Sequence, residues 1–339
     1  MDELQNYIDQ LLNKEFYELN QQYDYSNVDL NEVFNAVTSS RFRKSKLDDE
    51  TIDDIKEKIR VAYNNKEPLK FSVPFGAYKP WYLKLNSTIE WSEVLNISYL
   101  MKYASNIIKY YPYGVDITYS YLSKFIYFVS DIDSDDAQRY IDVFKKALGM
   151  FNKLDSRIQF HLFEINNLYK SESESFFDFL EQFLDNLVYW DIKYDEETRQ
   201  RHLNSSHHNL NPYGHRKIAE KPKDIQERYY YYSALMTDAI DCMKERRKFN
   251  KGEDKIQLVG VKGPKKCINM GSCETGATHF WVSKGVLSFN KGIVRPYIFT
   301  NKKLEEFNEQ HLLEKIRVNS EFENINDNFK YILFLKEAN

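Results

Sequence analysis

Little of this sequence is glycine, proline or cysteine. Its 339 residues include 11 Gly, 8 Pro and 3 Cys, too little glycine and proline for a glycine-rich repeat or a disordered linker protein. Cys242, Cys267 and Cys273 are odd in number and make no disulfide framework, as expected of buried thiols in a reducing compartment. Long apolar runs are missing, and Met1–Gln5 has neither the basic nor the apolar region of a signal peptide. The reading is a cytoplasmic protein with no membrane association. An excess of one charge sign is also absent: 47 Lys and Arg face 51 Asp and Glu, a formal net charge of −4. There is therefore no global electrostatic reason to bind nucleic acid.

Aromatic residues are abundant, with 26 Tyr and 23 Phe, so the interior and any pocket should be aromatic-lined. Leu4, Ile8, Leu11, Leu12 and Phe16 recur at helical spacing, as do Ile52, Ile55, Ile59 and Ala62, which predicts two helices within residues 1–66. Between them Ser39–Lys46 reads as a solvated basic loop. Leu69–Lys84 then reads as a strand running into a structured loop of Pro74, Gly76, Lys79 and Trp81. A lysine held between aromatics after a strand suits an anionic substrate.

Trp91–Tyr111 is an amphipathic helix on the stripe Val94, Ile97, Leu100, Ala104, Ile107 and Ile108. Pro112 and Gly114 stop it before an alternating strand from Val115. The acidic run Ser130–Asp136 lacks the glycine and terminal glutamate of a calcium loop and reads as a helix N-terminus. Ile158–Ile165 is a further strand, with His161 read as a core residue, and Phe176–Leu187 a further helix. The alternation predicts an α/β fold: a mostly parallel or mixed sheet covered by helices, Rossmann-like, after an N-terminal helical segment. The expected division is residues 1–66 helical and 67–339 α/β, with a basic insertion at about 199–223.

Arg199–Lys223, which includes Arg216 and Lys217, is the most cationic stretch and holds four histidines. A solvated linker, a loop closing over phosphate or nucleic acid, and a histidine metal site compete for it. No HExxH or CxxC spacing accompanies the histidines, so no metal is implied. Lys255–Phe299 is the densest mixture of glycine, polar and apolar residues. Ile256–Val261 and Cys267–Met270 read as strands, Gly271–Gly276 as a tight turn, and Ala277–Phe289 as a longer strand or hairpin. On such a strand His279 and Trp281 would share one face. Ser272, Glu274, Thr275 and Trp281 are candidate substrate contacts beside Trp81, Arg216 and Lys217, with Lys79 and His279 as candidate catalytic residues. An ordinary core hairpin is the competing reading of this stretch.

The loop Pro74–Lys79, the helix running into Tyr111–Gly114 and a strand, and the strands around Thr275–Trp281 together resemble the isocyanide synthase family of pyoverdine and dityrosine biosynthesis. The resemblance places Lys79 at the lysine of that family's Phe-Pro-x-Lys loop, Gly114 at its Tyr-x-Pro-Gly glycine and His279 near its Trp-His pair. Its Ser-Asp-Gly is here Ser120, Tyr121 and Leu122, and the arginine and histidine of its later strand are here Gln257 and Gly260. The implied activity is condensation of an amino-acid amine with a pentulose phosphate, needing no metal or other cofactor. Cations would hold the phosphate, an acid/base would serve imine formation, and aromatic walls would hold the side chain.

Three function classes follow: an enzyme on a small amino-acid-like or phosphorylated substrate, a nucleic-acid binding or modifying protein using residues 199–223, and a non-catalytic interaction protein of enzyme-like fold. The first predicts convergence of Pro74–Trp81 with Gly271–Trp281. Oligomeric state is left open.

Overall fold

The structure, a computed structural model, describes residues 2–79, 88–121, 134–165, 249, 252, 254–261, 266–276 and 278–336. Trp81, Cys242, the helix expected at Phe176–Leu187 and the basic segment Arg199–Lys223 lie outside these residues.

Three α-helices, rather than the two expected, precede the first strand: α1 (Asp2–Gln10), α2 (Leu30–Val37) and α3 (Asp49–Asn65). Asp48 caps α3 by accepting from the Thr51 N–H at 2.8 Å, relieving one of the unpaired donors at a helix start. Lys66 ends it in the left-handed conformation and turns the chain directly into the sheet.

Five strands build that sheet: β1 (Leu69–Pro74), β2 (Val115–Tyr121), β3 (Ile158–Glu164), β4 (Lys255–Val259) and β5 (Cys267–Asn269). All neighbours are parallel, in the order β3-β2-β1-β4-β5. Helices α4 (Trp91–Ile108) and α5 (Ser134–Asn152) connect β1 to β2 and β2 to β3. Both cover the same face, where Phe71 meets Tyr103 at 5.5 Å and Tyr119 meets Phe144 at 5.0 Å between ring centroids. Two crossovers of one hand moving in one direction require this. Gly114 makes the turn between α4 and β2. Its φ is +86°, and a Cβ there would stand 2.6 Å from the Arg157 carbonyl oxygen, so only glycine fits.

Register and alternation divide the sheet into two unlike faces. Leu69, Phe71, Val73, Val115, Ile117, Tyr119, Ile256 and Leu258 point toward α4 and α5, whereas Lys70, Ser72, Asp116, Thr118, Ser120 and Gln257 point the other way. His161 belongs to this second, polar face. It is half exposed and 3.6 Å from Asp116, so the core placement expected from sequence is corrected: alternation set its direction.

A second sheet follows, of β6 (Ser283–Asn290), β7 (Ile293–Thr300), β8 (Leu313–Arg317) and β9 (Tyr331–Leu335), with α6 (Asn301–Glu309) between β7 and β8. Its order is β7-β6-β9-β8, mixed in direction. Lys291 and Gly292, with φ of +50° and +81°, form the two-residue turn that a twisted hairpin prefers. Helix α4 lies between the sheets, with 16 of its 18 residues buried, as a helix flanked on both sides must be. Beyond Tyr103 against the first sheet, its Trp91 Nε1 donates to the Tyr331 carbonyl at 2.9 Å and its ring packs on Phe322 and Phe329. No described helix is long and apolar enough to cross a membrane.

Candidate active site

The chain passes from β1 to β2 to β3 on one side and resumes at β4 and β5 on the other, so strand order reverses between β1 and β4. In open α/β sheets a crevice forms outside the carboxyl ends of the strands at such a reversal. Here those ends lead into Phe75–Lys79 and Val259–Val261. The segment 272–281 closes down on both. A Cβ on Gly76 would lie 2.3 Å from Trp281 Nε1, and one on Gly260 would lie 3.1 Å from the Thr278 carbonyl and 3.2 Å from Ser272 Oγ. Absence of side chains at these two glycines is what allows the approach. Ala77, next in the chain, has φ of +57°, a left-handed conformation unfavourable for a residue with a Cβ.

That turn delivers Lys79 into the protein interior, where it is 2% exposed. Its Nζ lies 2.8 Å from Glu93 Oε1 and 3.3 Å from Glu90 Oε1. It also donates to Ser92 Oγ at 2.7 Å, the Ser283 carbonyl at 2.8 Å and the Phe280 carbonyl at 3.1 Å. An ammonium has three protons, and protein oxygens already surround them. The same carboxylates cap α4: the Ser92 N–H donates to Glu90 Oε1 at 2.8 Å and the Glu90 N–H to Glu93 Oε2 at 2.9 Å. The Gly285 N–H bonds both Glu90 oxygens at 3.2 Å, and Tyr140 on α5 donates to Glu93 Oε1 at 2.9 Å.

One lysine between two buried carboxylates would leave a negative charge uncompensated, a costly arrangement away from water. Burial pushes the Glu93 carboxyl up to about 7; Lys79 opposes this and Glu90 adds to it. A proton on Glu93 therefore balances the cluster near neutrality. Burial, then the nearby Glu93, holds the Tyr140 hydroxyl well above its ordinary range, which keeps it a donor.

Of the strand or hairpin expected at Ala277–Phe289, residues 278–282 are not a strand. Phe280–Val282 is a turn of 3₁₀ helix, and β6 begins only at Ser283. A physical reason lies in one Lys79 bond: the Phe280 carbonyl turns inward to the ammonium instead of into a ladder. His279 and Trp281 still come together, ring centroids 4.3 Å apart at 30°. Between them Phe280 points inward, stacked on Phe75 at 5.8 Å and meeting Tyr119 at 6.0 Å.

The structure places the other sequence candidates individually. Ser272 is buried, its carbonyl accepts from Asn96 Nδ2 at 2.7 Å, and its Oγ has no hydrogen-bond partner. Glu274 is exposed and pairs with Lys102 at 3.0 Å, while Thr275 Oγ1 donates to the Pro296 carbonyl at 2.6 Å. Trp81, Arg216 and Lys217 lie outside the described residues. Lys79, Ser272, His279 and Trp281 thus converge around the ends of β1 and β4, and Glu274 and Thr275 turn away from them. Sequence reasoning missed Glu90, Ser92, Glu93 and Tyr140. Two glutamates three apart at the start of an apolar helix were the available signal for the cluster. Among the described residues no group of three or more His, Cys, Asp or Glu is placed to hold a metal ion.

No family model matches the sequence and no curated protein matches it. Among solved structures the fold is similar to that of the PvcA protein from Pseudomonas aeruginosa, with a TM-score of 0.62 at 15% identity, covering 90% of this chain and 99% of that one. A tyrosyl-tRNA synthetase from Archaeoglobus fulgidus, complexed with L-tyrosine, superposes at a TM-score of 0.31 and 12% identity over 84% of this chain and 92% of that one. That second likeness is too loose to bear on this chain.

Proposed function

We propose that the chain is an enzyme acting on a small amino-acid-like or phosphorylated substrate at the carboxyl ends of β1 and β4. The reaction class is that of the isocyanide synthases, condensation of an amino-acid amine with a pentulose phosphate, carried out in the cytoplasm. The observation that supports this reading most is the closure of residues 272–281 onto Gly76 and Gly260 at the strand-order reversal. On this reading His279 is the acid/base, Trp281 an aromatic wall and Ser272 a hydrogen-bonding group at that closure. Lys79 acts as a positioning residue, holding the segment through the Phe280 and Ser283 carbonyls. A fold like that of PvcA agrees with the reading.

A second reading, a non-catalytic protein on an enzyme-like scaffold, draws support from the internal engagement of Lys79, which leaves that ammonium little capacity for a substrate phosphate. Turnover separates the two. The purified chain is incubated with D-ribulose 5-phosphate and L-tyrosine or L-tryptophan, and the isocyanide is sought by mass spectrometry. The enzyme reading expects product, and expects His279→Gln to lower turnover about 100-fold or more with melting temperature near wild type. A folded protein that makes no product from either amino acid would favour the scaffold reading. A large loss of melting temperature in His279→Gln would assign the ring to packing.

A further inference from the structure

Ser92, in the first turn of α4, has a single hydroxyl proton and acceptors on two sides. Toward the closing segment lie the Phe280 carbonyl at 2.9 Å and the Ser283 carbonyl at 3.3 Å. On its own helix lies Glu93 Oε2 at 3.1 Å. Ser92, Glu93, Phe280 and Ser283 are all buried, so the proton must be shared among these oxygens. The surroundings of Glu93 decide the sharing. Its Oε1 receives Lys79 Nζ at 2.8 Å and the Tyr140 hydroxyl at 2.9 Å, and its Oε2 the Glu90 N–H at 2.9 Å. Among the described residues, the charged or titratable groups facing this carboxyl are thus Lys79 after β1, Glu90 on the same helix and Tyr140 on α5, with Tyr119 of β2 near enough to feel its charge.

An ionised Glu93 accepts the Ser92 proton, and its full charge also draws the Lys79 ammonium away from the two carbonyls. A protonated Glu93 can give its own O–H to Ser92 Oγ while Oε2 still accepts the Glu90 N–H, which leaves the serine proton for the segment. We infer that Glu93 and Ser92 form a proton-operated latch: with Glu93 protonated the serine hydroxyl holds the Phe280–Ser283 turn, and with Glu93 ionised it releases its share of that hold. Burial, the chief cause, pushes the Glu93 carboxyl up to about 7. The proton is bound below that value, so the hold is full in mild acid and is lost as pH rises through neutrality. Lys79 still reaches both carbonyls, so the turn loosens without leaving its place. His279 and Trp281 flank Phe280 on this turn. A consequence for turnover rests on the reading of the segment as a wall of the substrate site, whereas the latch itself does not.

The test is amide hydrogen exchange of the full chain without substrate, followed by mass spectrometry from about pH 5 to about pH 8 and divided by the intrinsic rate at each pH. The informative amides are those of Val282 and Ser283, which bond the His279 and Phe280 carbonyls. Their corrected exchange should rise about three- to tenfold with pH, the worth of one hydrogen bond. Exchange in α6, which shares none of these bonds, should stay level. Glu93→Gln cannot titrate and should show no rise. Ser92→Ala lacks the shared hydroxyl and should exchange at every pH about as fast as wild type does at the alkaline end. Should either variant fold poorly, the wild-type profile still decides. The inference fails if that profile is flat, if α6 rises in step with the turn, or if Ser92→Ala keeps the wild-type rise. A flat profile would strike the latch and leave the enzyme reading standing, and a failed turnover assay would leave the exchange result readable.

Discussion

Glu93 and Lys79 are the residues on which the site's geometry turns, and their chemistry gives a measurable signature. Glu93 ionises near 7 in the fold and at 4.5 in an unfolded chain, with burial as the chief cause. Between those values the folded state holds a proton that the unfolded state has lost, so this group makes stability fall as pH rises through that window. Replacing Glu93 by Gln removes the titration. Thermal unfolding followed across this range should therefore show wild type losing stability with rising pH relative to Glu93→Gln. Parallel curves for the two proteins would mean that Glu93 stays ionised throughout. Lys79 was legible in the sequence as a lysine between aromatics after a strand, but its partners were not. Glu90, Ser92 and Glu93 are near it in sequence, yet their meeting with Lys79 depends on the turn at Gly76 and Ala77 and on carbonyls from Phe280 and Ser283, about 200 residues away.

At the scale of the element, the segment 271–282 is held by contacts with no sequence signature of their own. Its turn was read correctly from Gly271 and Gly276, whose Ser272 N–H to Gly276 carbonyl bond measures 3.0 Å. The strand or hairpin read at 277–289 was right from Ser283 on but not at 278–282, because alternation of apolar residues cannot reveal that the Phe280 carbonyl is claimed by a buried ammonium. The hairpin of β6 and β7 had a local signal in Lys291 and Gly292 that went unused. Gly76 is the sharpest probe of the segment. Gly76→Ala places a Cβ against Trp281 Nε1 and the Tyr78 ring, so the indole must move. Small-to-large changes in packed sites cost about 1–3 kcal/mol. The expected outcome is a changed tryptophan emission spectrum with a modest loss of melting temperature and weaker substrate binding. Unchanged emission would show that Trp281 does not rest on Gly76.

At the scale of the whole molecule, the α/β class was legible because β1, α4, β2, α5 and β3 alternate within a short span, each with its own period. Strand order was not. The bond between β1 and β4 joins Phe71 to Ile256 in register, and no local pattern announces a pairing at such separation. The second sheet escaped for a similar reason: β8 and β9 are five residues each, and β9 joins the sheet through a parallel pairing of its Leu333 with Val286 on β6. The site belongs to this scale too, since it arises where the order reverses between two strands far apart in sequence. The most direct measurement is a crystal structure of the chain with L-tyrosine bound. The account predicts the amino acid between the Gly76–Tyr78 turn and Gly260, in contact with His279 or Trp281. Tyrosine seated elsewhere, with residues 272–281 still closed on both glycines and no ligand between them, would contradict it.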